Sequence, residues 1–296
     1  MIIKKALIAA AGFGTRFLPI TKTIQKEMLP VLNRPTVDYL VEDLIKAGVE
    51  EIIFVISEHN KQLLHYYSEN PRLFSYLSKH GKEELYTQMV KIHQQARFHF
   101  VKQSDTDPYG TATPLKLAQS HLANEPAFFV FMGDDFLFNP KGQSESGKML
   151  ELYQKSQADG LITCITKPRT ELGHYGVVKL GSQNGFSYLD SIVEKPKPEE
   201  APSNLVNISK YILTPEVFSL IDEQKPDAKS GELYIVDTVT RWAGTKKIVV
   251  YQPSIDYLDC GNVIGWLEAN LSVAIDHPSF GTPTKNLLAK FKDRVN

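Results

Sequence analysis

The chain has 296 residues, with 33 Lys and Arg against 34 Asp and Glu, for a formal charge of −1. That length can bury a sizeable core, as one large α/β domain or two small ones. Near-neutrality argues against a nucleic-acid polymer or an anionic membrane as main partner, while leaving the local positive charge that a mononucleotide needs. Cys164 and Cys260 form no C-x-x-C pair, so neither a disulfide framework nor a zinc site is expected. The N-terminal MIIKKALIAAAG lacks a long apolar leader, and no later run approaches the ~18 apolar residues of a membrane span. A cytoplasmic, membrane-free protein is expected.

In chain order, residues 4–11 read as an apolar strand and 36–48 as a helix, with Val37, Leu40, Val41, Leu44 and Ile45 on one face and Gly48 as its C-cap. EIIFVIS (51–57) is a second buried strand. Residues 61–97 form a long polar helical region, expected as an insertion over one sheet edge, with His80 and His93 on solvated surface. FHFVKQ, a helix over 112–123 and AFFVFMGDD follow. Strands this uniformly apolar are buried on both faces, which predicts a doubly wound α/β fold around a mixed, mainly parallel sheet, Rossmann-like in kind.

The second half changes character. GLITCITKP, YGVVKL and FSYLDSIVEKP are shorter strands, then come helices over 215–221 and 232–242, strands KKIVVYQ and IDYLDCG, and a helix over 263–275. No low-complexity linker separates the halves. One domain over 1–276 is expected, with a first half at about 1–140 and a smaller lobe at about 141–276. A tail over 277–296 ends in a basic amphipathic helix at 285–295, a candidate for subunit contact.

The most informative stretch follows the first strand: AAGFGTRFLPITKTIQKEMLP, residues 10–30. Gly12 and Gly14 let backbone amides lie against phosphates, and Thr15, Arg16, Lys22 and Lys26 supply a hydroxyl and positive charge, so the segment reads as a triphosphate cradle. It is not a P-loop, because no G-x-x-x-x-G-K-[ST] follows the strand. It is not a dinucleotide fingerprint either, because Phe17 stands where the third glycine belongs, and the basic segment beyond, broken at Pro30, lacks the acidic ribose ligand of a nicotinamide oxidoreductase.

Residues 12–30 resemble G-x-G-T-R-x-L-P-x-T-K-x-x-P-K-E-M-L-P of the bacterial UTP–glucose-1-phosphate uridylyltransferases (UDP-glucose pyrophosphorylases), among the sugar-1-phosphate nucleotidyltransferases. The resemblance extends over about residues 3–275. It implies UTP and glucose 1-phosphate as substrates, UDP-glucose and pyrophosphate as products, and a homodimer or homotetramer. It implies Asp134, in Gly133-Asp134-Asp135, and Asp259, in Leu258-Asp259-Cys260-Gly261, as ligands of one Mg²⁺. Arg16, Lys26 and Lys195, the last in Val193-Glu194-Lys195-Pro196, become the catalytic cations. Ala10, Ala11, Gly12, Gly14, Thr15, Glu27, Gln103 and Gly110 become nucleotide contacts, with Ala10, Gly12, Glu27 and Gln103 walling the base. Gly176, in His174-Tyr175-Gly176-Val177, Glu194 and Lys195 become the sugar site.

Several positions depart from the family pattern. Gln25 replaces a proline, which loosens the loop. Gly110-Thr111-Ala112-Thr113-Pro114 replaces G-L-G-H-A, and Ala112 is expected to crowd the nucleotide. Ser209-Lys210 replaces Gly-Arg within N-L-A-x-x-G-R-Y, and Tyr234 replaces Gln in the G-E-[IL]-Q-L-T-D element. These leave two alternatives open: the same transfer with another base or sugar, and a catalytically silent homologue that binds sugar nucleotide and regulates a partner.

Overall fold

Strand β1 (Lys5–Ala10) leads through three single-turn helical segments to a small hairpin, β2 (Pro30–Val31) and β3 (Arg34–Pro35), then to helix α1 (Thr36–Lys46) and strand β4 (Glu51–Ser57). Helices α2 (Gln62–Tyr67), α3 (Pro71–Lys79) and α4 (Glu83–Val90) precede β5 (Arg97–Gln103), and α5 (Thr113–Leu117) and α6 (Gln119–Leu122) precede β6 (Phe128–Met132). Next come β7 (Asp135–Phe138), α7 (Glu145–Ser156), β8 (Gly160–Thr166), β9 (Gly176–Gln183), β10 (Phe186–Glu194) and β11 (Leu205–Leu213). The chain finishes with α8 (Glu216–Asp222), α9 (Ile235–Ala243), β12 (Ile248–Tyr251), β13 (Asp256–Asp259), α10 (Val263–Asp276) and α11 (Gly281–Phe291). This computed structural model describes residues 2–292.

Nine strands form one sheet in the order β5-β4-β1-β6-β11-β8-β12-β10-β9. β5, β4, β1 and β6 run parallel, β11 lies antiparallel to both β6 and β8, and β12 is parallel to β8. The mixed, doubly wound α/β reading holds, and the sheet runs through both halves of the chain. Helices cover both faces, so β4 is buried from Ile52 to Ile56 and β6 from Phe128 to Phe131, as strands with two covered faces require.

Helix α1 buries Val37, Leu40, Val41 and Leu44, and Gly48 takes φ +95° beyond its end. The 61–97 region is helical as expected, in three helices, and it is the crossover joining parallel neighbours β4 and β5 rather than an insertion. His80 is exposed, but His93 is half-buried, its ring 4.8 and 4.9 Å from those of Tyr66 and Tyr67. The 112–123 helix breaks at Ala118. Helix α11 starts earlier than expected, and residues 293–296, which include the end of the expected 285–295 helix, lie outside the described residues.

Five elements went unread in the sequence, the short strands β2, β3 and β7 along with α7 and β11. Helix α7 is capped by Ser144, whose hydroxyl accepts from the Gly147 amide at 2.8 Å. Strand β11 is central yet carries a charge, because Lys210 is only 1 % exposed. Its register against β8 jumps between Asn207 and Tyr211, and Ser209 sits at φ +53° within that bulge. A left-handed position suits glycine, which explains the family's glycine there; Ser209 adopts the same conformation.

Candidate active site

Open α/β sheets place ligands beyond the carboxyl ends of parallel strands, and there the structure has a cavity of about 390 Å³. Ala11 and Gly12 beyond β1, Gln103 at the end of β5, and Met132 and Asp134 at the end of β6 form one wall. Gly176, Glu194, Lys195, Tyr234 and Val236 line the cavity as well. Arg16, Lys26 and Gly110 also line it. It therefore brings together cations from two remote segments, Arg16 and Lys26 of the glycine-rich stretch and Lys195 beyond β10.

Other expected contacts lie elsewhere. Gly14 and Thr15 do not line the cavity: Gly14 takes φ +64°, and the Thr21 hydroxyl donates to its carbonyl at 2.8 Å, so this pair shapes the turn that presents Gly12. Ala10 is buried, its carbonyl accepting from the Gln25 amide at 2.6 Å. Glu27 is fully buried beneath the cavity and is no part of its wall.

Gln25 does not loosen the loop. Its φ of −61° is one a proline would share, but its backbone N–H donates to Gln62 Oε1 at 2.7 Å, a bond proline cannot make. Ala112 does not crowd a ligand, since it is fully buried with ordinary helical angles and its N–H donates to the Leu233 carbonyl. The glycine that matters is Gly110, at φ +132°, where a Cβ would lie 2.3 Å from the Leu233 carbonyl oxygen.

The acidic centre is built by two short strands. β6 turns at Gly133 and Asp134 into β7, and β13 pairs antiparallel with β7 so that Asp259 faces Asp135. Both Asp134 and Asp259 reach the space over Gly261: a Cβ there would lie 2.8 Å from Asp134 Oδ2 and 2.9 Å from Asp259 Oδ1. Two hard carboxylate donors around a position kept free of side chain suit a divalent cation. Asp259 is oriented by the Gly261 N–H at 2.8 Å and by Asn262 Nδ2 at 3.1 Å.

Lys26 Nζ meets Asp134 Oδ2 at 2.6 Å and Glu27 Oε1 at 3.8 Å. Burial works to discharge the Lys26 ammonium, but the Asp134 and Glu27 carboxylates outweigh it and hold its pKa above the usual lysine range. Burial likewise pushes Asp134 up, and the Lys26 ammonium more than reverses this, leaving its carboxyl below the usual range. Neither carboxyl oxygen of Glu27 has a hydrogen-bond partner among the described residues. Burial raises Glu27 to about 7, with Lys26 opposing.

A raised carboxyl pKa leaves the fold unpenalised below the unfolded-state value near 4.5 and costs stability as pH rises through about 7. Glu27→Gln is therefore expected to match the parent at pH 4.5 and to exceed it by a kcal/mol or more at pH 8. Urea unfolding at both pH values checks this. Equal midpoints for parent and variant at pH 8 would refute it.

Behind the acidic pair, Lys210 bonds Asp135 Oδ1 and, at 3.2 Å, the Asp135 carbonyl, while the Tyr257 hydroxyl donates to Asp135 Oδ2 at 3.0 Å. This buried cluster joins β11, β7 and β13. Lys210 thus points into the core and does not line the cavity. Sequence reasoning also missed Tyr109, Tyr175 and Glu232 as lining residues. Their neighbours Gly110, Gly176 and Gly231 were the only local signal.

Comparison with known proteins gives a consistent picture. The family model described as nucleotidyl transferase matches residues 5–275. A UTP–glucose-1-phosphate uridylyltransferase of Streptococcus pyogenes is 33% identical over 97% of this chain and 94% of its own length. A UTP-bound UGPase from Acinetobacter baumannii superposes with a TM-score of 0.88 at 29% identity, over 98% of this chain and all of that one. A UDP-glucose pyrophosphorylase complexed with UDP-glucose gives 0.80 at 34% identity, over 92% of this chain and 98% of the other.

Proposed function

Because the chain belongs to the nucleotidyl transferase family, we propose that its cavity transfers the uridylyl group of UTP to glucose 1-phosphate, giving UDP-glucose and releasing pyrophosphate. The observation that carries this reading is the convergence of Arg16, Lys26 and Lys195 with Asp134 on one cavity at the carboxyl ends of β1, β5 and β6. A phosphate oxygen of the sugar phosphate attacks the α-phosphorus of UTP. The bond to the bridging oxygen breaks, and pyrophosphate departs with the electron pair. The nucleophile is already anionic at neutral pH, so positioning and charge stabilisation do the chemistry.

Arg16 and Lys26 neutralise the triphosphate and then the leaving pyrophosphate, while Lys195 holds the phosphate of the sugar. Gln103 offers an amide donor and acceptor to the imide edge of uracil, with Ala11, Gly12 and Gly110 giving close backbone approach. Gly14 and Thr15 act through the turn; Ala10 and Glu27 support the wall from beneath. Glu194 accepts glucose hydroxyls. Gly176 leaves room for it, since a Cβ there would lie 3.0 Å from Glu194 Oε2. Asp134 and Asp259 would hold Mg²⁺, which would supply neutralisation of phosphate charge.

We divide the chain into a nucleotide half to about residue 140, a sugar half to about 276 and a tail to 296, and place the protein in the cytoplasm as a homo-oligomer. Both cysteines are free and buried, and no helix among the described residues is long and apolar enough to cross a membrane. The intact cations and carboxylates favour an active enzyme over a silent homologue.

Incubating the protein with each of four NTPs, glucose 1-phosphate and Mg²⁺, and measuring pyrophosphate, tests the reaction. UTP is expected to be preferred; comparable turnover with dTTP or CTP would sink the base assignment, and no pyrophosphate from any sugar phosphate would favour the silent regulator. Asp134→Asn and Asp259→Asn are each expected to raise the Mg²⁺ concentration needed for half-maximal activity and to depress turnover. Together they should be less than additive, because either already disrupts the same ion. If Asp259→Asn were silent, that residue would be only the strand-end cap its bonds to Gly261 and Asn262 also describe.

Glu194 is exposed as a residue but its side chain is only 32 % exposed, and burial raises its pKa against the partial opposition of Lys195. A carboxylate placed to accept hydroxyls rejects a sugar that leaves it unpaired. Glu194→Ala is expected to raise KM for glucose 1-phosphate about tenfold or more with KM for UTP little changed. A fall in UTP affinity instead would mean that the sugar and base pockets are exchanged.

A further inference from the structure

Lys195 has a fixed backbone and a loosely held stem. Its φ is +45°, in the left-handed region, and its N–H donates to the Tyr175 carbonyl at 3.0 Å. A residue with a side chain keeps such a backbone only where its surroundings impose it. The side chain is nonetheless 54 % exposed, and among the described residues its one recorded ion pair is the long contact of 3.7 Å with Glu194 Oε1. A four-carbon stem with that freedom visits many rotamers, so another group has to point the ammonium into the cavity.

We propose that Tyr234 is that group, a positioning residue for Lys195; the proposal rests on the role given above to Lys195 at the phosphate of the sugar. Lys195 Nζ lies 5.7 Å from the centre of the Tyr234 ring, within the range in which an ammonium is drawn to an aromatic face, and both residues line the cavity. The ring itself is anchored. Its hydroxyl bonds Ser230 Oγ at 3.1 Å, and the Tyr234 carbonyl accepts from Gln224 Nε2 at 2.9 Å. On either side, the Leu233 N–H donates to the Tyr109 carbonyl at 2.8 Å and the Ile235 N–H to Thr111 Oγ1 at 3.0 Å, so the loop beyond β5 straps this segment down. A fixed ring beside a loosely held lysine sets the direction of the lysine.

A ring suits this task better than the glutamine of the family pattern. A glutamine carbonyl would draw on one of the three N–H donors of the ammonium. The aromatic face attracts the charge without taking up a donor in a conventional hydrogen bond, so all three stay available for phosphate oxygens. It also relieves Glu194, assigned above to the hydroxyls of glucose. A lysine held by that carboxylate alone would compete with the sugar for its lone pairs.

Nuclear magnetic resonance and kinetics test this together. Protons over a ring face resonate upfield, so in protein isotopically labelled at lysine Cε the Lys195 signal, assigned by its loss in Lys195→Arg, is expected upfield of the other lysines. It is expected to return to their range in Tyr234→Leu and to stay in place in Tyr234→Phe. In pyrophosphate release, Tyr234→Leu is expected to raise KM for glucose 1-phosphate about two- to fivefold with KM for UTP unchanged, and Tyr234→Phe to stay near the parent. Added to Lys195→Met, Tyr234→Leu is expected to do nothing further. A Lys195 signal that is unshifted in the parent would overturn the proposal. So would the same rise in KM with Lys195→Met in place, since the ring would then act on the sugar directly. A parent that releases no pyrophosphate with any sugar phosphate would overturn the reaction instead, and the lysine signal would still decide the pairing of Tyr234 with Lys195.

Discussion

Lys26→Ala is expected to lower kcat by about 10²-fold to 10³-fold, the usual loss when one preorganised charge-stabilising group is removed. Lys26 is the sole Lys or Arg recorded with an ion pair to Asp134 among the described residues, at 2.6 Å, and its stem passes Gly12, where a Cβ would lie 3.3 Å from Lys26 Cε. It therefore stands between the carboxylate of the proposed metal site and the glycine turn of the proposed phosphate cradle. In the proposed role its charge serves the leaving pyrophosphate more than bound UTP, and on that proposal kcat should fall by a larger factor than KM for UTP rises.

The position is not that of an exposed loop cation, because the side chain is only 20 % exposed. Some stability is therefore lost with it, as Asp134 and Glu27 are left without their counter-charge. Steady-state kinetics with near-ultraviolet circular dichroism check the pair of expectations. A folded variant with near-normal kcat would remove Lys26 from the chemistry.

Lys210→Met is expected to cost about 3–5 kcal/mol of stability, the usual penalty when one partner of a buried ion pair is removed. Asp135 would keep only the Tyr257 hydroxyl and its carboxylate would face the core. A stranded carboxylate escapes part of the cost by protonating, so the loss should be larger at pH 8 than at pH 5. Asp135→Asn in the same chain removes the charge and should recover much of the stability, giving a strong coupling in a double-mutant cycle. Urea unfolding at both pH values measures all of this. If the single and double variants were equally unstable, Lys210 would matter for its packing and not its charge.

These two lysines show how differently a residue type can be read. Lys26 was legible because it stands in a dense run of glycine, threonine and cations, where local spacing already implies phosphate chemistry. Lys210 was opaque, because a lysine in a strand pattern breaks the apolar signal that marks a buried strand, and β11 went unread with it. Its counter-ion Asp135 lies in another strand, and no short-range pattern links the two.

By itself the sequence determined the parallel half of the sheet, since apolar runs such as EIIFVIS and FFVFM admit only a position buried on both faces. It determined the glycine turn and the identity of the charged groups, because those depend on neighbours within a few residues. Only the tertiary structure decided which of them share a cavity. Gly14, Thr15, Ala10 and Glu27 belong to the same motif as Gly12 and Lys26, yet the turn at Gly14 and the burial of Glu27 send them away from it. The pairing of β13 with β7 brings Asp259 to Asp134, which is set by strand register across more than a hundred residues. Contact at that range follows from the packing of the whole sheet, and no local spacing encodes it.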